Sequence, residues 1–171
     1  MFHYNADHPL RRYFSGLAEH AFLGELGVAD PPLIDYLSEL LSRFISMDAI
    51  HRFQAAGRSF EQVAELLLEA EAFPPEGRTY REVHRHIGDF TLFWTGVYPE
   101  ALRRLKSPSR IDHFVDYCRQ GKRSYSLAAS IQKDPDGKES RVLQRLSEQY
   151  EMCAYGLSQV RKEWEQSRRP G

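Results

Sequence analysis

What the chain has little of already narrows the reading. Cysteine occurs twice in 171 residues, at Cys118 and Cys153, with no CxxC or paired spacing. Both fall inside helical patterns, so they are expected to be reduced core thiols, with a disulfide the alternative. Long apolar runs are missing: the longest, Phe90 to Tyr98, is far short of the ~20 residues that cross a bilayer. Residues 1–20 hold acidic, basic and histidine side chains and no apolar h-region, so no signal peptide is expected and the default location is cytoplasmic. Strand-type alternation, internal repeats and low-complexity tracts are also missing. No stretch reads as a linker, so residues 1–171 are expected to form one domain, large enough to bury a core without staples.

Catalytic signatures fail in the same way. GxSxG, GxGxxG and HExxH do not occur. Gln120-Gly-Lys-Arg-Ser124 has a Gly-Lys pair but lacks the upstream glycine and preceding strand of a phosphate loop. Asp134-Pro-Asp-Gly137 resembles the start of a calcium loop, yet Leu143 stands where the bidentate glutamate belongs. A di-iron bundle requires Glu-x-x-His on two helices, and the motif does not occur once. Adjacent His-Asp, the mark of one class of helical phosphohydrolase, appears only reversed, as Asp7-His8 and Asp112-His113. No cofactor is implied, and no metal motif survives the spacing test.

What is present is helical pitch. The composition is 42% hydrophobic and 27% charged, with ten Phe and nine Tyr, which is globular. Leu10, Tyr13, Phe14, Leu17 and Ala21 mark a first helix opened by Pro9 and ending near Gly24 and Gly27. Asp30-Pro31 is an N-cap and N1 pair, followed by a wide stripe from Leu33 to Phe44. Residues 46–57 read as a connector with a helical turn at Ala49–Phe53. Ser59–Gln62 and Thr79–Glu82 have capping-box spacing, and Pro74-Pro-Glu-Gly77 separates the helices they would open. The second of these is apolar nearly all round from Phe90 to Trp94, with Gly88 and Gly96 where another helix could approach. A short helix from Pro99 to Leu105 precedes one opened by Ser107-Pro108, which carries Ile111, Phe114, Cys118, Tyr125 and Ala128. After the turn at 134–137, Leu143, Leu146, Tyr150, Cys153, Leu157, Val160 and Trp164 alternate by three and four. That seam predicts one long helix packed against a single neighbour. The fold class is therefore all-α: a multi-helix bundle of five or six main helices with one or two short ones.

The net charge of −1 hides an asymmetry. Residues 1–76 carry 5 Lys/Arg and 12 Asp/Glu, giving −7; residues 77–171 carry 18 and 12, giving +6. Opposed halves can attract within one chain or head to tail between two. Acidic residues interrupt the basic ones and no aromatic-basic string occurs, so nucleic-acid binding ranks below a protein partner.

The surviving candidate pocket is a line on one helix: Glu82, His86 and Asp89 at i, i+4 and i+7, with His84 on the neighbouring seam. His20, at the margin of the first helix beside Glu19, is a further candidate, with Glu148 or Glu151 as possible contributors. Such a set could hold a general base or a divalent metal. Each residue also has an ordinary explanation, as a cap, a surface hydrogen bonder or a core-edge imidazole. Arg103, Arg104, Lys106 and Arg110 form a basic knot that reads as a solvated surface or a neutraliser of the acidic N-terminal half ahead of a phosphate site. Trp94 and Trp164 lie on seams and read as core.

Three strings, His86–Glu100, Tyr117–Tyr125 and Tyr36–Phe44, together resemble a group of uncharacterised bacterial helical proteins. The resemblance implies a helical fold and a bacterial origin; no activity or site residue comes with it. The leading expectation is a non-enzymatic interaction or scaffold module, with a protein partner or a homodimer and no membrane. The alternative is a metal-dependent or small-molecule-binding helical enzyme built on the histidine pocket.

Overall fold

Pro9 opens α1 (Pro9–Ala18), and the chain then widens into a π-helical segment, Glu19–Glu25. Leu26 N bonds Ala21 O five residues back at 3.1 Å, the wider ring that defines this winding. Gly27 follows with φ of +66°, a left-handed step that glycine takes without cost and that turns the chain away. The computed structural model describes residues 9–48, 55–104, 113–131 and 135–168.

The first helix buries the face its apolar spacing predicts, with Leu10 and Leu17 packed at its edge, but the face is rotated away from Tyr13. Phe14, Ala18, Ala21 and Phe22 are buried along with Arg11, while Tyr13 is exposed. Arg11 donates to the Asp35 carboxylate at 2.6 Å and to the Asp35 carbonyl at 2.9 Å. That pairing makes a charged side chain tolerable there, and the π winding then swings Phe22 inward.

Asp30 Oδ1 accepts from Leu33 N at 3.4 Å and α2 (Pro31–Asp48) starts at Pro31, as the cap pair predicts. Leu33, Ile34, Leu37, Leu40 and Leu41 are all buried, each side chain contributing roughly 1.5–3 kcal/mol. The expected turn at Ala49–Phe53 lies outside the described residues.

Helix α3 (Ala55–Glu71) begins four residues before the Ser59 box, and α4 (Arg78–Val97) begins at Arg78, with Gly77 as its cap residue. Both boxes thus lie inside their helices. Thr79 and Glu82 have no cap to make, and Glu82 is used otherwise. Ile87 through Val97 are buried without interruption, so α4 is the central helix, packed against α2, α3, α6 and α8.

Helix α5 (Pro99–Arg104) is the expected short piece. Helix α6 is described over His113–Ser130, and the Ser107-Pro108 start lies outside the described residues. In the turn after it, Asp136 Oδ1 accepts from Lys138 N at 3.3 Å.

The long last helix is in fact two, α7 (Lys138–Glu148) and α8 (Tyr150–Arg168), broken at Gln149, whose φ is −117° and ψ 34°. All seven seam residues from Leu143 to Trp164 are buried, but α7 packs mainly on α6 and α8 mainly on α4. Tyr150 is the first residue past the break. Its hydroxyl lies 3.1 Å from Thr95 Oγ1 on α4, and its ring fills the space a β-carbon on Gly121 of α6 would need. One buried phenol therefore hands the seam from one neighbour to the next.

The buried apolar residues form one contiguous cluster. Trp94 and Trp164 belong to it, and Cys118 and Cys153 are both free and buried. Among the described residues there is no strand, and no helix is long and apolar enough to cross a membrane.

Candidate functional site

Helix α4 carries Glu82, His84, His86 and Asp89, and their neighbours draw the four in different directions. Asp89 turns inward and is 1% exposed. Its Oδ1 accepts from the Tyr36 hydroxyl of α2 and the Tyr125 hydroxyl of α6, each at 2.7 Å. Its Oδ2 accepts from Arg43 of α2 at 2.6 Å. Burial, and after it the Asp89 charge, raises the pKa of both phenols well above the ordinary value, so both remain donors. Burial works against the Arg43 cation, but Asp89 outweighs it and the pKa is raised. A carboxylate with both oxygens engaged by three donors is a tie between helices α2, α4 and α6. It has little capacity left to take a proton from a substrate.

His86 lies outside this tie, its ring stacked on Phe44 at 6.1 Å between centroids. His84 faces α6 instead. Its Nδ1 is 3.1 Å from Ser124 Oγ, and Tyr80 meets the ring at 4.5 Å between centroids. Gln120 Nε2 donates to the same Ser124 oxygen at 2.9 Å, which leaves the hydroxyl proton for a neutral His84 ring. Burial, then Arg123, lowers the His84 pKa.

Glu82 accepts from Arg85 at 2.8 Å and from Arg81 at 3.1 Å, and Arg81 reaches on to Glu139 of α7 at 3.2 Å. This is an ion-pair ladder along the α4–α7 boundary. Glu148 accepts from Gln144 at 2.9 Å and Glu151 pairs with Lys122, so neither joins the histidines.

His20 sits in the π-helical segment, with its Nε2 3.5 Å from Glu25 Oε1. Glu163 of α8 completes the group: one ligand-capable atom from each of the three lies within 4.8 Å of the others. Among the described residues this trio, and no grouping of His84, His86 and Asp89, brings its ligand-capable atoms within 4.8 Å of one another.

The sequence line thus identified Asp89 and His20 but neither set of partners. Tyr36 and Arg43 are seven apart on α2, and Tyr125 sits in a core stripe, where nothing distinguishes a phenol with a buried acceptor from one without. Glu25 was hidden by the assumption of α-helical winding, which puts residues five apart about 140° from each other.

Compared with known proteins, the sequence matches no family model, no curated protein and no solved structure.

Proposed function

We propose that the chain is a non-enzymatic protein-interaction module that associates with a second copy of itself. The observation that carries this reading is an apolar groove beside an arginine and an exposed leucine among acids. On one side, a groove of about 230 Å³ runs between Pro99, Phe114, Cys118 and Ala154, with the 55% exposed Tyr155 on its wall. Arg103 is exposed on the groove's lining, its guanidinium over the Phe114 ring at 4.8 Å. Glu151, at the groove, is paired with Lys122.

On the other side, α3 presents Leu68, 68% exposed, between Glu65 and Glu69, with Glu71 beyond, all three acids exposed. Leucine in water on an acidic helix face suits an apolar groove edged by Arg103. The net charges of −7 and +6 on the two stretches of sequence run in the same sense. A contact between the two surfaces on neighbouring copies is heterologous, head to tail, and leaves each copy one surface for a further one. The free, buried cysteines fit a reducing cytoplasm, and the resemblance fits a bacterial one.

Sedimentation equilibrium from micromolar to millimolar concentration tests the proposal. Self-association is expected that weakens with salt and is lost in Leu68→Glu and in Tyr155→Glu, both at exposed positions. A chain that stays monomeric throughout, or self-association that neither substitution affects, overturns it.

A further inference from the structure

The His20, Glu25 and Glu163 group has no part in the docking surface. We infer that it is a site for a first-row divalent transition-metal ion of the zinc class. The donor set is one imidazole and two carboxylates, the mixed nitrogen and oxygen chemistry that such ions take and that calcium and magnesium do not.

The spacing fits the ion. Bonds of about 2.1 Å in a tetrahedron put neighbouring ligand atoms about 3.4 Å apart. His20 Nε2 and Glu25 Oε1 are already 3.5 Å apart, and Glu163 is within a side-chain adjustment of both. Three protein ligands leave a fourth position for water, and the solvent exposure of His20 and Glu25 gives the ion a way in.

Two features of the fold bring these residues together. The first is the π winding of Glu19–Glu25. It stacks residues five apart, which puts Glu25 over His20; α-helical winding would have separated them. Such segments are rare and concentrate at functional places. The second is the approach of α8. Gly156 lies against the ring of Phe22, where a β-carbon would be 2.2 Å from Cζ. Glu163 follows seven residues later, on the same face of α8, and so arrives beside the π-helical segment. The far end of the site is tied by Tyr13, hydrogen-bonded to Ser167 at 2.8 Å, and by Phe14 edge-on to Trp164 at 5.9 Å. Carboxylate and imidazole therefore meet on a framework held on both sides, which lowers the ordering cost of binding.

Calorimetric titration with zinc chloride on the full chain provides the test, with cobalt(II) absorption as a direct view of the ligand field. One equivalent is expected to bind per chain, with a tetrahedral cobalt spectrum. Affinity should fall at least tenfold in each of His20→Ala, Glu25→Gln and Glu163→Gln. Glu165→Gln, two residues along α8, should bind as the parent does, and magnesium should not compete. Absence of zinc binding, or binding that survives all three substitutions unchanged, overturns the assignment. Self-association is read separately by sedimentation, so failure of one proposal is distinguishable from failure of the other.

Discussion

The ring of Tyr125 occupies the space that a β-carbon on Gly88 would need, with Cδ1 and Cε1 each 2.6 Å from that point. The contact brings α6 close enough to α4 for the Tyr125 hydroxyl to reach Asp89, the next residue along. Gly88→Ala is accordingly expected to destabilise the fold by about 1–3 kcal/mol, because the fully buried ring has nowhere to go. Gly16→Ala is the control of opposite sign. It is mid-helix with nothing within 4 Å of its would-be β-carbon, and it should gain ~0.5–1 kcal/mol. Urea unfolding of both variants checks the pair; a loss at Gly16 or a gain at Gly88 contradicts it.

The two phenols on Asp89 share a single oxygen, so their contributions should not add. Tyr36→Phe and Tyr125→Phe are each expected to cost about 1.5–3 kcal/mol, the range for a hydrogen bond to a charged group. With both removed, Oδ1 loses both of these donors, and the double variant should exceed the sum by at least ~0.5 kcal/mol. Asp89→Ala should cost more than either single change, on the order of 3–5 kcal/mol, since it strands buried partners. Strict additivity in the double-mutant cycle would show that the hydroxyls act independently.

These ties also mark the limit of what the sequence revealed. The helices, the cap at Asp30 and the close approaches at Gly88 and Gly96 were legible, because apolar pitch and glycine placement are local signals. Gly96 does lie where a β-carbon would come 2.8 Å from Leu157 Cβ. The break at Gln149 was not legible. The seven-residue seam continues across it unchanged, and Tyr150, just past it, bonds Thr95, 55 residues away on another helix. The inward turn of Arg11 was hidden for the same reason, since its carboxylate lies 24 residues away on another helix. Local patterning specifies where helices run; partners distant in sequence decide which polar residues go inside.

Cys153 should be chemically silent in the native state. It is fully buried, and burial pushes its thiol up to about 12. At pH 8 only about one molecule in ten thousand would carry the reactive thiolate even if reagent could reach it. Iodoacetamide labelling followed by mass spectrometry should mark Cys153 only after denaturation. Rapid native labelling would mean that α8 opens locally without global unfolding.

Acid should weaken the fold through His84. Its folded pKa lies below the ordinary value near 6.5, because burial and Arg123 disfavour the cation. Between the two values the unfolded chain binds the extra proton, so stability rises with pH. The contribution is complete above about pH 6.5 and is lost as pH falls through the folded value. His84→Gln should therefore flatten the urea midpoint against pH from about 7.5 down to 5 relative to the parent. An unchanged slope would remove His84 as the source of acid sensitivity.

Gly156 lies against Phe22, and a β-carbon there would stand 2.2 Å from Cζ and 2.3 Å from Cε1 of a ring that is itself fully buried. Gly156→Ala gains up to ~1 kcal/mol of helix propensity but is expected to lose more, because either Phe22 leaves its seat or the π-helical segment lifts from α8. Lifting separates His20 and Glu25 from Glu163, two turns further along the same face. Zinc affinity should then fall in Gly156→Ala although no ligand has changed. Gly88→Ala supplies the comparison, since it stresses the α4–α6 contact by a similar amount and leaves the π-helical segment alone. Equal zinc affinity in the two variants would show that the approach of Glu163 does not depend on the seat of Phe22. A selective loss in Gly156→Ala would show that it does.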